Sequence, residues 1–345
     1  MQYHDDEMRM FWTNALERHM IYRRKEQDDS PPPWTDDQIY RDYKFTATFR
    51  ELDRGTKFVT NYIMQHHNLK PVDVIFNVLI YRLFNKIETF MYHDIQYTDK
   101  YDIEKFDKKV HRLDATDKVF TSAFIVSGYS MSELQGMDKI QRCARVIGWF
   151  RDQLLGDPNL VSDILGDTDM SITYKKIINL TGFGKFLAYQ VAVDLSYWSK
   201  TQFGEDDFVV MGPGAIRGLD WLFPIQDADD DPRDGRNPAQ CCEWLRDRQF
   251  ELMSDYGLDC YTALSDRQVP YFTVMSIENL CCEFSKYMKA HTNAGRPRNR
   301  YNAVEGLERK KFFREVEDWN TQPYNIYTKP QNLVHYNRIT NGTTD

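Results

Sequence analysis

Two polar clusters in the first third of the chain contain the residues best suited to chemistry. The first cluster combines guanidinium, ammonium and carboxylate groups at helical spacing: Arg50, Asp53, Arg54 and Lys57. Charges three and four residues apart usually form a solvated helix face with weak ion pairing. A site that faces phosphate groups contains the same mixture of arginine and aspartate, so both interpretations stay open.

The second cluster is a polar and aromatic stripe on the next predicted helix, made by Tyr81, Asn85, Glu88 and Tyr92. A plain helix surface is dominated by lysine and glutamate. This stripe therefore indicates either a face turned toward a ligand or an unusual solvent-exposed surface.

A third candidate is a pair of glycines between two apolar segments. The first segment ends at Leu180, Gly182 and Gly184 follow, and the second begins at Lys185. Glycine accepts positive φ and lets another backbone approach, and the amides that open a helix favour an anion. A helix-hairpin-helix of this kind would bind a DNA phosphate. A single Gly-x-Gly is weak evidence, so a glycine-rich turn between packed helices fits equally well.

The elements that must position these residues are helices almost throughout the chain. Apolar residues recur at helical spacing after the glycine pair, at Leu187, Val191, Leu195 and Trp198, which predicts a helix over 185–199. Another face of this helix would carry Phe186, Gln190, Asp194 and Tyr197. The spacing also predicts one helix from Phe45 to Ile63, and one long helix from Pro71 through Tyr92.

Composition limits the class of protein. The chain has 345 residues, of which 41% are hydrophobic and 14% aromatic, enough for a sizeable core. Its net charge of −8 argues against a protein that coats nucleic acid, although a local basic patch remains compatible with DNA binding. Such a patch contains Arg296, Arg298 and Arg300; a solvated basic loop is the alternative.

Targeting and metal signals are weak. No apolar run reaches the roughly 18 residues of a membrane span, and the acidic N-terminus is unlike a signal peptide, so we expect a cytoplasmic protein without a membrane partner. The six cysteines include two adjacent pairs, which suit buried free thiols better than disulfides or zinc. The sequence contains no Walker phosphate loop, no Gly-x-Ser-x-Gly elbow and no His-Glu-x-x-His helix. We expect no dedicated metal site.

Several blocks together resemble one family. They are ERHMIYRR (17–24), PPWTDD (32–37), FTATFRELDR (45–54), YRLFNKIETF (81–90), GFGKFLAYQ (182–190), GPG (212–214) and IENLCCEFSKY (277–287). These blocks resemble, in the same order, the α-glutamyl/putrescinyl thymine pyrophosphorylases, or amino acid:DNA transferases. That family is related to the helical domain of 5-hydroxymethyl-deoxyuridine DNA kinases. The similarity extends from about residue 11 to residue 301.

The resemblance implies an all-α fold similar to helix-hairpin-helix DNA glycosylases and a role in thymine hypermodification, mostly in bacteriophages. The expected substrate is double-stranded DNA in which a kinase has pyrophosphorylated 5-hydroxymethyluracil. An amine co-substrate, either an amino acid or a polyamine, then displaces the pyrophosphate. The expected setting is a phage-infected host cell. The resemblance implies no certain cofactor beyond a possible monovalent ion at the hairpin carbonyls.

The implied reaction assigns roles to the polar residues. Departure of pyrophosphate requires cations, for which Arg50, Arg54 and Lys185 are the candidates. A flipped base must be read at its polar edge, by Asn85 and Gln190.

The attacking amine must be unprotonated, which requires a nearby base. The candidates for orienting or deprotonating it are Asp53, Glu88 and Asp194. For each of these residues a surface ion pair or a structural hydrogen bond is the alternative role.

Two other functions stay open. In glycosylases of this shape a catalytic aspartate follows the second hairpin helix, whereas Gly212 stands at the corresponding turn here, which disfavours base excision. Lys175 lies near the place of a Schiff-base lysine, so glycosylase activity remains an alternative. The chain could also be a non-catalytic DNA-binding partner of the kinase. We expect one helical catalytic domain over 1–321, with two lobes and the hairpin region at 175–219, and an irregular tail over 322–345.

Overall fold

The protein is built from α-helices. The computed structural model describes residues 1–115, 117–121, 131–224, 237–267, 270–297, 300–303 and 336–340. The helices are α1 (Asp5–Tyr22), α2 (Gln38–Asp42), α3 (Arg54–Phe58), α4 (Pro71–Phe84), α5 (Ile87–His93), α6 (Ile103–Asp114), α7 (Lys139–Gly156), α8 (Leu160–Gly166), α9 (Met170–Ile178), α10 (Lys185–Ser196), α11 (Pro213–Leu222), α12 (Pro238–Asp255), α13 (Cys260–Ala263) and α14 (Val274–His291). Within those ranges no β-strand forms, and an isolated bridge joins Tyr43 to Arg300. The all-α prediction is confirmed.

The described residues form two compact units. The terminal unit combines residues 1–53 with those from 208 onward, and the central unit consists of residues 54–207. The terminal unit contains α1, α2 and α11 to α14, whereas α3 to α10 lie in the central unit.

Helices α11 and α14 make the closest contact in the terminal unit. A β-carbon on Gly218 would lie 2.0 Å from the carbonyl oxygen of Cys281, and one on Gly214 would lie 2.7 Å from the sulfur of Cys282. Two glycines four residues apart therefore let the backbone of α11 pack directly against α14, with no side chain between them at these positions. Helix α1 packs beside both, and the ring of Phe11 meets Phe284 edge-on with centroids 5.5 Å apart.

Helix α4 forms the centre of the central unit. Every residue from Asp73 to Phe84 is buried, as expected for a helix that has neighbours on all sides. It packs against α5, α7, α8 and α10, all within the same unit.

Helices α9 and α10 pack against each other across a six-residue connection, 179–184. Gly182 adopts a φ of +95°, and a β-carbon there would lie 2.8 Å from Val146, so glycine is required at this point. The predicted buried face of α10 is confirmed, since Leu187, Val191 and Leu195 are all buried. The geometry is helix, glycine turn, helix; its DNA-binding role stays a prediction.

Two predicted helices are wrong in their bounds. The segment after Phe45 is not helical: a short 3₁₀ turn covers Arg50–Leu52, and helix begins only at Arg54. The long helix predicted from Pro71 ends at Phe84, because Asn85 adopts a left-handed conformation with φ of 51° and α5 begins afresh at Ile87.

Other expectations about the chain have mixed outcomes. Five of the six cysteines are buried, as predicted, and no disulfide joins any of the six. Of the tail expected to be irregular, residues 336–340 form a helical turn, and the rest of 322–345 lies outside the described residues. Each helix in the described ranges is too short or too polar to cross a bilayer.

Candidate functional site

The most unusual ionisable group of the terminal unit is the carboxyl of Glu278, in the second turn of α14. It is partly buried, and one of its oxygens accepts a hydrogen bond from the Gly212 backbone N–H at 3.3 Å. Burial raises the pKa of Glu278 to about 7, a rise that the Gly212 N–H and the positive charge of Arg50 oppose. A carboxyl with this pKa exchanges protons near neutral pH.

A second carboxyl in this unit, that of Asp53, is shifted in the same direction. Asp53 is partly buried and accepts a hydrogen bond from the Ala47 N–H at 3.1 Å. Burial raises its pKa, and the Ala47 N–H and Arg50 oppose the rise. Because Arg50 lowers the pKa of both carboxyls, its guanidinium acts electrostatically on Asp53 and Glu278 alike.

The Gly212 amide lies at the N-cap of α11, immediately before the first helical residue. Gly212 caps that helix in an extended conformation without a side-chain capping bond, and Pro213 occupies the first helical position. The positive end of the helix dipole therefore lies beside Gly212, whose N–H contacts Glu278, and it favours negative charge there. We call Arg50, Asp53, Glu278 and the Gly212 amide the Glu278 cluster.

The loop that leads to Asp53 is held by side chains from two helices. Arg18 on α1 donates to the carbonyl oxygens of Thr46 and Ala47 at 2.9 and 3.1 Å. On α14, Asn279 donates to the Ala47 oxygen at 3.0 Å, and Glu283 accepts from the Thr46 N–H at 3.1 Å. These bonds replace the helical ones that the apolar spacing predicted, and they fix the position of Asp53.

Chemically, the Glu278 cluster combines a proton acceptor that works near pH 7 with two sources of positive charge. Such an arrangement can accept a proton from a nucleophile while a guanidinium and a helix N-terminus stabilise an anionic leaving group. Of the residues predicted from the sequence, this cluster unites Arg50 and Asp53.

Arg54 and Glu88, both predicted as site residues, form an ion pair in the central unit. An Nη of Arg54 lies 3.2 Å from a carboxylate oxygen of Glu88, and about a third of each side chain is exposed, 36% and 33%. The pair is accessible to solvent, so it stabilises the fold little.

Asp194, another predicted residue, is fully buried in the central unit. Its two oxygens accept from Nε and Nη2 of Arg82, and Nη1 of Arg82 donates to the Asn85 side-chain oxygen at 2.9 Å. The side chains of Arg82 and Asp194 are 8% and 0% exposed, whereas Asn85 is exposed. The bidentate pair gives Asp194 a structural role, and its catalytic role stays a prediction.

The remaining central-unit candidates lie along the start of α10. Gly184 caps the helix without a side-chain bond, Lys185 is exposed and Gln190 is partly buried. Phe186 is 61% exposed. An exposed cation and an exposed aromatic ring at a helix start suit contact with nucleic acid, as predicted for the glycine pair.

The basic segment near the end of the terminal unit is partly neutralised. Arg296 is exposed and Arg298 lies outside the described residues. Arg300 approaches Asp42 at 3.8 Å, and its guanidinium lies over the ring of Tyr43 at 5.0 Å. Arg296 and Arg300 thus remain at the surface, but Arg300 already has an acidic partner.

Sequence reasoning missed Glu278 and Arg82. Both lie inside the family-like blocks, and Arg82 lies between Tyr81 and Leu83, close to the end of a run of mostly apolar residues. A charge within a mostly apolar segment indicates a buried partner, and that signal could have identified Arg82. Glu278 has no such local signal, because its partner Gly212 is 66 residues away in the chain.

No group of three or more histidine, cysteine or acidic side chains in the described ranges is arranged to hold a metal ion. The monovalent ion expected at the hairpin carbonyls stays a prediction.

Comparison with known proteins identifies the family. Residues 6–296 match the family described as the helical domain of 5-hmdU DNA kinase. The chain is similar to a 5-hmdU DNA kinase of Bacillus phage SP10, with 26% identity over 231 residues, which is 62% of this chain and 36% of that relative. The chain thus spans only about a third of the relative's length, and no solved structure matches it. Since the family match covers most of the chain, the protein belongs to the family of the 5-hmdU DNA kinase helical domain.

Proposed function

We propose that this protein modifies thymine-like bases in DNA by replacing the pyrophosphate of 5-pyrophosphooxymethyl-deoxyuridine with an amine. Its family is named for a kinase of 5-hmdU, and such a kinase would supply the phosphorylated hydroxymethyl group that an amine can displace. The proposed partners are double-stranded DNA carrying the modified uracil and the kinase acting upstream. The amine is an amino acid or a polyamine.

The observation that supports this proposal most strongly is the Glu278 carboxyl. In the proposed step the amine nitrogen attacks the exocyclic methylene carbon, a C–N bond forms, and the C–O bond to pyrophosphate breaks with its electron pair. The nitrogen must lose a proton, and a carboxylate with a pKa of about 7 accepts it more readily than an ordinary glutamate. Glu278 is therefore proposed as the general base.

The charges around Glu278 fit the leaving group. Pyrophosphate departs as a polyanion, and the guanidinium of Arg50 and the N-terminus of α11 supply positive charge in the same unit. Asp53, whose carboxyl also lies within the field of Arg50, is proposed to orient the ammonium group of the incoming amine before deprotonation.

A second candidate function is a non-catalytic DNA-binding module that delivers a kinase to 5-hydroxymethyluracil. One finding favours it: the related phage protein is itself a kinase, and the segment that resembles this chain makes up only 36% of it. In that case the Glu278 cluster would bind a phosphate and transfer no proton.

A single assay separates these functions. Duplex DNA with one 5-pyrophosphooxymethyl-uracil is incubated with the full chain and glycine, glutamate or putrescine, then digested to nucleosides for mass spectrometry. We expect an aminated thymidine with wild-type protein and a loss of about 10²-fold or more in rate for Glu278→Gln. Abasic sites instead of amine adducts would indicate a glycosylase. Retained DNA binding without either product would support the kinase-delivery module.

A further inference from the structure

Asn85 occupies an exposed turn between two helices of the central unit. Its φ of 51° and ψ of 34° are left-handed, a conformation that asparagine tolerates better than most residues. Helix α4 ends before it and α5 begins two residues later, at Ile87. The turn presents the Asn85 side chain at the surface while its neighbour Phe84 is buried.

The orientation of the Asn85 amide is fixed by its hydrogen bond with Arg82. Nη1 of Arg82 lies 2.9 Å from the Asn85 Oδ1. A guanidinium has donors and no acceptor, so the amide must turn its oxygen toward Arg82. The amide NH₂ consequently faces away from Arg82 and presents only donors.

Arg82 cannot easily rotate to release this constraint. Its Nε and Nη2 donate to both oxygens of Asp194, which is fully buried. Breaking a buried bidentate pair is strongly unfavourable, so the guanidinium is held in one place. Asp194 and Arg82 are thereby positioning residues for Asn85.

A donor in a fixed position discriminates between pyrimidines. The 4-position of uracil or thymine is a carbonyl acceptor, whereas the 4-position of cytosine is an amino donor. We infer that Asn85, oriented by Arg82 and Asp194, selects 4-keto over 4-amino pyrimidines in the DNA substrate. This inference rests on the proposed function, because it takes a modified pyrimidine as the substrate.

The discriminating variant is Asn85→Asp. Aspartate is nearly isosteric, tolerates the left-handed turn and still accepts the Arg82 bond, but it replaces the outward NH₂ donor with an acceptor. Asn293→Asp is the matched control, because Asn293 is also exposed, has a φ of 56° and receives the same change of charge.

The test measures binding rather than turnover. Two duplexes carry 5-hydroxymethyluracil or 5-hydroxymethylcytosine opposite the same abasic site, so that neither base has a pairing partner. We expect wild-type protein and Asn293→Asp to prefer the uracil duplex by about tenfold or more. Asn85→Asp should lose or invert that preference, and Asn85→Gly should bind both duplexes equally.

Equal binding of the two duplexes by wild-type protein, including no binding to either, overturns the inference. An unchanged preference in Asn85→Asp does so as well. The two proposals can fail separately. If wild-type protein prefers the uracil duplex and Asn85→Asp inverts that preference, the role of Asn85 is supported. If the same protein forms no aminated nucleoside, amine transfer is refuted.

Discussion

Replacing Glu278 with glutamine should change how the stability of the protein depends on pH. Glutamine keeps an oxygen that accepts the Gly212 N–H but cannot ionise. The carboxyl has a pKa raised from 4.5 to about 7, so between these values the folded state holds a proton that the unfolded state has lost. Raising the pH through this window therefore destabilises wild-type protein, and Glu278→Gln removes that loss.

The magnitude follows from the pKa. At about 1.36 kcal/mol for each tenfold change in proton affinity, the rise from 4.5 to about 7 corresponds to about 3 kcal/mol. Relative to the variant, wild-type protein should lose about 3 kcal/mol of unfolding free energy between pH 4.5 and 7. About one pH unit above 7 the difference should become constant, because Glu278 is then almost fully ionised in both states.

Urea denaturation at intervals of half a pH unit from pH 4.5 to 8 measures this difference. Glu243→Gln, which removes an exposed carboxylate from α12, controls for the loss of one negative charge. A wild-type minus Glu278→Gln difference that does not vary with pH would refute the argument from burial. If Glu278 is also the base, wild-type kcat/KM should rise with pH to a plateau, with its midpoint near 7.

Four further variants test packing, the buried ion pair and the surface sites. Gly218→Ala should lower the unfolding free energy by about 1–3 kcal/mol or more, because its β-carbon would lie 2.0 Å from a carbonyl oxygen of α14. Its control is Gly166→Ala, whose β-carbon would have no atom within 4 Å and which should be nearly neutral in the same urea titration. Asp194→Asn leaves a buried arginine without its carboxylate and should lose about 3–5 kcal/mol of stability, measured by thermal or urea unfolding. Arg54→Ala should alter stability by no more than about 1 kcal/mol yet abolish the aminated nucleoside if Arg54 contacts the departing pyrophosphate; wild-type turnover would exclude that role. Lys185→Ala should weaken DNA binding and reduce the slope of log K against log salt by about one, which fluorescence anisotropy at several salt concentrations measures.

The sequence predicted best where local spacing determines structure. Helix α10 follows from apolar residues three and four apart, and Gly182 was recognised as a turn because only glycine readily takes its positive φ. These are properties of a few neighbouring residues, so they are visible in the chain itself.

Prediction failed where distant residues override the local pattern. Phe45 and Phe49 are spaced as in a helix, but Arg18, Asn279 and Glu283 bond the intervening backbone and keep it from forming one. The end of α4 before Asn85 was not predicted, because asparagine is a weaker signal for a helix end than glycine.

In the candidate site, too, some residues could be predicted from neighbouring residues and others depend on distant ones. Arg50 and Asp53 could be selected by their charge and spacing, whereas the pKa of Glu278 is raised by burial, against the opposing effect of a backbone amide far away in the sequence. Burial depends on how α11 and α14 pack, and the glycines that permit this contact carry no charge pattern that would point to Glu278. The pKa of about 7 at Glu278 is therefore determined by the fold more than by the neighbouring residues in the sequence.

The composition of the terminal unit has a practical consequence for making fragments of this protein. Residues 1–53 and the described residues from 208 onward share one hydrophobic interior, in which α1 packs against α11 and α14. During synthesis α1 must wait until α11 and α14 have been made before its partners exist, and deletion of either segment would expose the apolar surface of the other. A fragment intended for independent expression should therefore be taken from residues 54–207, whose ends fall at the same boundary.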